Sequence, residues 1–103
     1  MGFRVKEFEI QLTTEFYLLV RIESLRGRVS GFVVLLIKTG ERHVNLVRYD
    51  TAHGQPHRDL LGKRAGLLRK DWLEGMSLQI ALKYAIDDLK ANYERYDQIY
   101  QKN

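Results

Sequence analysis

The hydrophobic period of this chain changes once, and that change fixes most of what it can fold into. Up to residue 50 apolar side chains recur largely at every second position; from Ser77 onward they recur every third or fourth. A period of two belongs to strands with one buried face, and a period near 3.6 to a helix with one buried stripe.

The alternation predicts strands over residues 8–12, 16–25, 29–38 and 42–50. Phe8, Ile10 and Leu12 share a face of the first, and Phe16, Leu18, Val20 and Ile22 a face of the second. Val5 is out of phase with the first set, which marks a bulge or a loose start. Gly27 and Gly40 sit where tight hairpin turns are needed. In the fourth strand Val44 and Leu46 are expected on one face, Val47 and Tyr49 on the other. Residues 32–37 are apolar at every position, the pattern of a central strand covered on both faces or lying in a dimer interface. Gly54 and Pro56 break the pattern at 51–56. Residues 57–61 and 67–73 are weaker strand candidates, joined by a basic turn at 63–66.

From Ser77, Leu78, Leu82, Ala85, Leu89, Tyr93, Tyr96 and Tyr100 form one stripe of a helix reaching to about Gln101. Ser77 is suited to cap it. Asp87, Asp88, Lys90, Glu94, Arg95 and Asp97 are expected mostly on its wet face. The fold class expected is α+β: an antiparallel sheet of four or five hairpin-connected strands covered by one long C-terminal helix, in a single domain over residues 1–103.

The chain has no cysteine. Disulfides, thiolate metal sites and a cysteine nucleophile are thereby excluded, and a reducing cytoplasm fits. The 32–37 run is far shorter than the ~20 apolar residues of a membrane-spanning helix, so a cytoplasmic location without a membrane partner is expected. The net charge of +4 and pI near 9.5 favour phosphate-rich partners. The plainer reading is that such a charge serves solubility alone.

Chemistry-bearing residues crowd into one stretch, residues 48–59. It holds Arg48, Tyr49, Asp50, His53, His57, Arg58 and Asp59, with two of the chain's three histidines, around the forced turn. Histidine exchanges protons near neutrality. Arginine grips a phosphate through paired hydrogen bonds. Aspartate orients an imidazole, and tyrosine stacks on a base or donates its hydroxyl. The plainer reading is turn architecture in a wet loop. There, replacing both His53 and His57 by alanine is expected to cost little. His53 and His57 are four apart, a zinc spacing on helices. Gly54 and Pro56 disfavour a helix here, so a metal would need a loop that brings both rings to Asp50 or Asp59; no metal or cofactor is assigned. His43 reads as a surface or cross-strand residue. Tyr84, Tyr93, Tyr96 and Tyr100 read as core or interface before they read as a stacking platform.

The segment Val47-Arg48-Tyr49-Asp50-Thr51-Ala52-His53-Gly54-Gln55-Pro56-His57 resembles the Arg-Tyr-Asp-x-Ala-His/Pro-x-x-Pro-His core of small prokaryotic toxins of the TumE type. That resemblance implies a small α+β toxin acting on RNA and neutralised by an antitoxin-like protein. Arg58 and Asp59 follow where the toxin pattern continues with further histidines.

Two functions follow. In the first, the chain is a metal-independent ribonuclease. His53 and His57 serve as base and acid, Arg48 and Arg58 stabilise the phosphorane-like transition state, and Tyr49, Asp50 and Asp59 hold substrate. In the second, it is a binding module without chemistry that dimerises and contacts a protein or nucleic acid; Arg58-Asp59 in place of histidines leans towards it. A homodimer is expected on a further ground: a sheet of this size should leave Tyr93, Tyr96, Ile99 and Tyr100 uncovered at the far end of the helix.

Overall fold

The computed structural model describes residues 2–103, apart from the side chain of His53. Strand β1 (Phe3–Gln11), β2 (Phe16–Leu25), β3 (Arg28–Lys38), β4 (Val44–Asp50), β5 (His57–Gly62) and β6 (Gly66–Trp72) precede helix α1 (Leu78–Lys102). A single-turn 3-10 helix, Ala52–Gly54, joins β4 to β5. The sheet runs β1-β2-β3-β4-β5-β6, every neighbour antiparallel. The architecture is the α+β meander expected, with six strands rather than four or five. Both weaker candidates are strands; their polar side chains hid them, because β6 is an edge and is largely exposed.

Two local expectations change. Val5 marks no bulge: β1 pairs with β2 without interruption from Phe3 opposite Leu25 to Gln11 opposite Tyr17. Val5 simply points to the face away from the helix. In β4, Leu46, Val47 and Tyr49 are all buried, at 1%, 0% and 0% exposure. A register shift against β3 pairs Leu36 with Val47 and Ile37 with Asn45, leaving Leu46 at the irregularity.

One face of the sheet is dry. Phe16, Leu18, Val20, Phe32, Val34, Leu36, Val47, Tyr49 and Leu60 pack with Ala81, Ala85, Leu89 and Tyr96 of α1. Two alanines at the contact let the helix approach the sheet closely. The other face of β3 is only half-covered: Val33 and Leu35 are partly exposed, as is Leu19 beside them.

Ser77 caps α1, its Oγ accepting the Ile80 N–H at 3.2 Å. The helix departs from helical geometry at Asn92 (φ −125°, ψ 17°). No proline is involved; the Asn92 side-chain amide donates to the Asp88 carbonyl at 3.1 Å and stands in for a backbone donor of the ladder.

The far end of α1 is partly covered. Tyr93 packs on Phe16 (ring centroids 5.0 Å apart) and Tyr96 is 6% exposed. The β5–β6 turn closes over the last helical carbonyls: Lys63 N–H donates to Tyr100 O, and Arg64 and Ala65 N–H to Asn103 O. Gly62 permits this approach, since a Cβ there would lie 2.8 Å from the Asn103 carbonyl oxygen. One of the two grounds for the dimer, an uncovered helix end, is thereby weakened, because Tyr96 is buried and Tyr93, Ile99 and Tyr100 are partly buried against the core.

Candidate functional site

Residues 48–50 and 57–59 are not a loop. They are the ends of β4 and β5, paired Arg48 with Asp59, Tyr49 with Arg58 and Asp50 with His57. Side chains of paired strands alternate between the two faces. Arg48, Asp50, His57 and Asp59 therefore share the face away from α1, and Tyr49 and Arg58 lie beneath the helix. Of the four expected catalytic residues, Arg48 and His57 are brought to one face and Arg58 to the other. His53 has its backbone in the 3-10 turn, and its side chain lies outside the described residues.

On the open face the charges compensate one another. Arg48 Nε lies 3.4 Å from Asp50 and 3.8 Å from Asp59. Lys70 of β6 brings Nζ to 3.1 Å from Asp59 Oδ1, although that oxygen receives no hydrogen bond. His57 Nε2 is 3.7 Å from Asp59 Oδ2. His57 is no wet loop residue: it is 2% exposed and lies under the Trp72 ring, 5.1 Å between centroids. An imidazole covered in this way has no open path for a substrate proton. Among the described residues no group of three histidine or carboxylate side chains is arranged to hold a metal. His43 lies just before β4, with Nδ1 2.9 Å from the Tyr17 hydroxyl of β2.

Beneath the helix the polar residues form a chain of hydrogen bonds. The Tyr49 hydroxyl donates to Asp88 Oδ2 at 2.7 Å and the Tyr96 hydroxyl to the same oxygen at 2.5 Å. Asn92 donates to Asp88 Oδ1 at 2.8 Å. Arg58 donates through Nη1 to the Tyr96 oxygen at 2.8 Å, and through Nε and Nη2 to Asp71 at 3.1 and 2.6 Å. Arg69 holds the other side of Asp71, 2.9 Å from Oδ1.

Protonation follows this geometry. Burial, then the hydrogen bond to Asp88, pushes the Tyr96 hydroxyl up to about 12, and the same causes push Tyr49 up further. Burial works against the Arg58 cation, but the hydrogen bond to Asp71 and the neighbouring tyrosines outweigh it and hold the guanidinium charged. Burial raises Asp71, and hydrogen bonds from Arg58 and Arg69 overcome this and leave it below its ordinary value.

This second cluster borders a cavity of about 270 Å³ lined by Arg58, Leu60, Arg69, Asp88, Asn92, Arg95, Tyr96 and Ile99. Arg95 forms no ion pair or side-chain hydrogen bond with any described residue. Asp71, Asp88, Asn92, Arg69 and Arg95 were not singled out from the sequence, and Asp88 is a correction: placed on the wet face, its side chain is 12% exposed. A signal was present in the spacing of Asp88, Asn92 and Tyr96, a polar stripe beside the apolar one.

Residues 3–103 match the model of a family described as a domain of unknown function (DUF7718), and the chain belongs to that family. No curated protein and no solved structure matches it. The family description assigns no activity, so the likeness to TumE-type toxins rests on residues 47–57 alone. No helix among the described residues is long and apolar enough to cross a membrane.

Proposed function

We propose that this chain is a binding module that contacts RNA without cutting it, through the β5–β6 hairpin. The observation that carries this is where the charge sits. Residues 57–72 hold Arg58, Lys63, Arg64, Arg69 and Lys70 against Asp59 and Asp71, so five cations less two anions give +3 of the chain's +4. The hairpin is an edge, Lys63 and Arg64 are exposed at its turn, and Trp72 at its end is 49% exposed with Lys70 Nζ 5.7 Å from the ring centroid. A basic edge tracks phosphates by releasing counterions, and an exposed indole offers a base something to stack on. Cleavage finds less support. General acid–base chemistry needs its groups around one bond, and His57 and Arg58 point to opposite faces of the sheet.

A second copy has a place to dock on the half-covered face of β2 and β3, where Leu19, Val33 and Leu35 meet water.

Anisotropy of a labelled single-stranded RNA tests the RNA reading. Binding is expected in low salt and should fall steeply as salt rises, with a log–log slope of about −0.7 per phosphate contact. The double change Lys63→Glu, Arg64→Glu should flatten that slope and weaken binding, and the RNA should remain intact. No binding at low salt, or unchanged binding by the double variant, would remove the reading.

A further inference from the structure

We propose that the cavity between β5, β6 and the kinked second half of α1 is a phosphomonoester site, and that on RNA it takes a 5′-terminal phosphate. The second clause rests on the RNA reading above; the first does not.

Three guanidiniums line one small cavity, and they differ in what they have left to give. Arg58, 18% exposed at its side chain, has three of its five N–H groups engaged by Asp71 and Tyr96 and two unspent. Arg69 is braced through Nε by Asp71, which leaves both of its terminal amino groups unspent. Arg95 has no partner among the described residues, so all its donors are available. Two of the three are held in place before any ligand arrives, which lowers the ordering cost of binding. Guanidinium forks match the tetrahedral, multiply acceptor face of a phosphate.

The charge balance calls for an anion. Arg58, Arg69 and Arg95 against Asp71 and Asp88 leave the cluster at +1. Asp88 does not compete as an acceptor, because Oδ2 already takes two tyrosine hydroxyls and Oδ1 the Asn92 amide. A net +1 favours an anion, and it is the shape of the cavity, not its charge, that favours a monoester. A diester must carry chain on two sides, and this cavity is walled by the sheet on one side and the helix on the other. Its volume, about 270 Å³, falls just below the ~300 Å³ at which sites for whole drug-sized ligands begin. That suits a phosphate with its attached sugar. The break at Asn92 belongs to the same site, since the residue that interrupts the helix also holds Asp88 and lines the cavity.

The test compares two labelled oligoribonucleotides of one sequence, one with a 5′-phosphate and one with a 5′-hydroxyl, on the full chain. The 5′-phosphorylated strand should bind about tenfold tighter, the effect of one further hydrogen bond to a charged group. Inorganic phosphate should erase that advantage, and Arg95→Gln should erase it while leaving 5′-hydroxyl binding and the melting temperature unchanged. Equal affinity for the two strands overturns the site and leaves the RNA reading standing, as does an advantage that survives in Arg95→Gln. Should neither strand bind, the RNA reading falls and takes the 5′-terminal clause with it, while the phosphate site still stands to be tested. Inorganic phosphate titrated against the arginine Nε–H resonances then decides: movement of the Arg58, Arg69 and Arg95 signals upholds the site, and still signals overturn it.

Discussion

Replacing Tyr49 by phenylalanine removes one oxygen and nothing else, which makes it a sharp probe of the network under the helix. Tyr49 is fully buried, and its hydroxyl donates to Asp88 at 2.7 Å. Its ring contacts, including the edge-on approach of Tyr84 at 6.2 Å, survive in phenylalanine. What is lost is a hydrogen bond to a charged acceptor, worth about 1.5–3 kcal/mol. Asp88 keeps its bonds from Tyr96 and Asn92, so the loss should fall near the middle, at about 2 kcal/mol. For a domain of this size that lowers the melting temperature by roughly 8–16 °C, at about 4–8 °C per kcal/mol. Tyr84→Phe is the control. Tyr84 is 43% exposed and forms no side-chain hydrogen bond among the described residues, so its change should stay within about 0.5 kcal/mol. Scanning calorimetry on the three proteins reads both numbers. A Tyr49→Phe variant that melts with the wild type would show that Asp88 is not stabilised through this hydroxyl, and the account of the network would fail.

Three further outcomes can be checked directly. His57→Ala should cost at least about 1 kcal/mol in urea unfolding, because the ring is buried beneath Trp72; a midpoint matching wild type would return His57 to the wet loop the sequence suggested. Stability should fall as pH rises from 10 towards 12: Tyr96 has a folded pKa raised to about 12 from an ordinary 10, so its contribution is complete below 10 and is lost as pH climbs through the folded value, with Tyr49 acting in the same direction. Denaturant midpoints that hold constant over that range would contradict the buried, neutral hydroxyls. Light scattering at micromolar concentration should give twice the 12.1 kDa of one chain, and Leu35→Arg should return it to the single mass; a wild-type chain that stays at the single mass on concentrating is a monomer.

Much of the fold was legible because periodicity reports burial, and burial here is simple. One helix lies on one face of one sheet, so β2 shows its alternation and α1 shows its stripe. The places that resisted are those where side chains do not report burial. Strand β6 is an edge whose Arg69, Lys70 and Asp71 are held by pairing with β5, and no hydrophobic pattern announces that. In β4, Leu46 is buried by a register shift, which moves a residue across faces without changing its type. The end of α1 is partly covered by backbone hydrogen bonds from a turn that in sequence is only Lys63, Arg64, Ala65 and a glycine on either side.

The candidate site was half legible for a different reason. Nearness along the chain gathers chemistry-bearing residues at 48–59, but a strand divides its neighbours between two faces. Arg48 and Asp59 go to one side and Tyr49 and Arg58 to the other, so the apparent cluster separates into two. What reassembles Tyr49 and Arg58 into a site is Asp88, 30 residues beyond Arg58, together with Asn92, Tyr96 and Arg95 of the same helix. A carboxylate with both oxygens engaged beneath a helix would be costly to bury without those donors. Its presence therefore fixes the helix over Tyr49 and Arg58 in one rotational setting. That setting is also what brings Arg95 to the cavity beside Arg58 and Arg69, so the polar core that anchors the helix and the guanidiniums that face the ligand are parts of one arrangement.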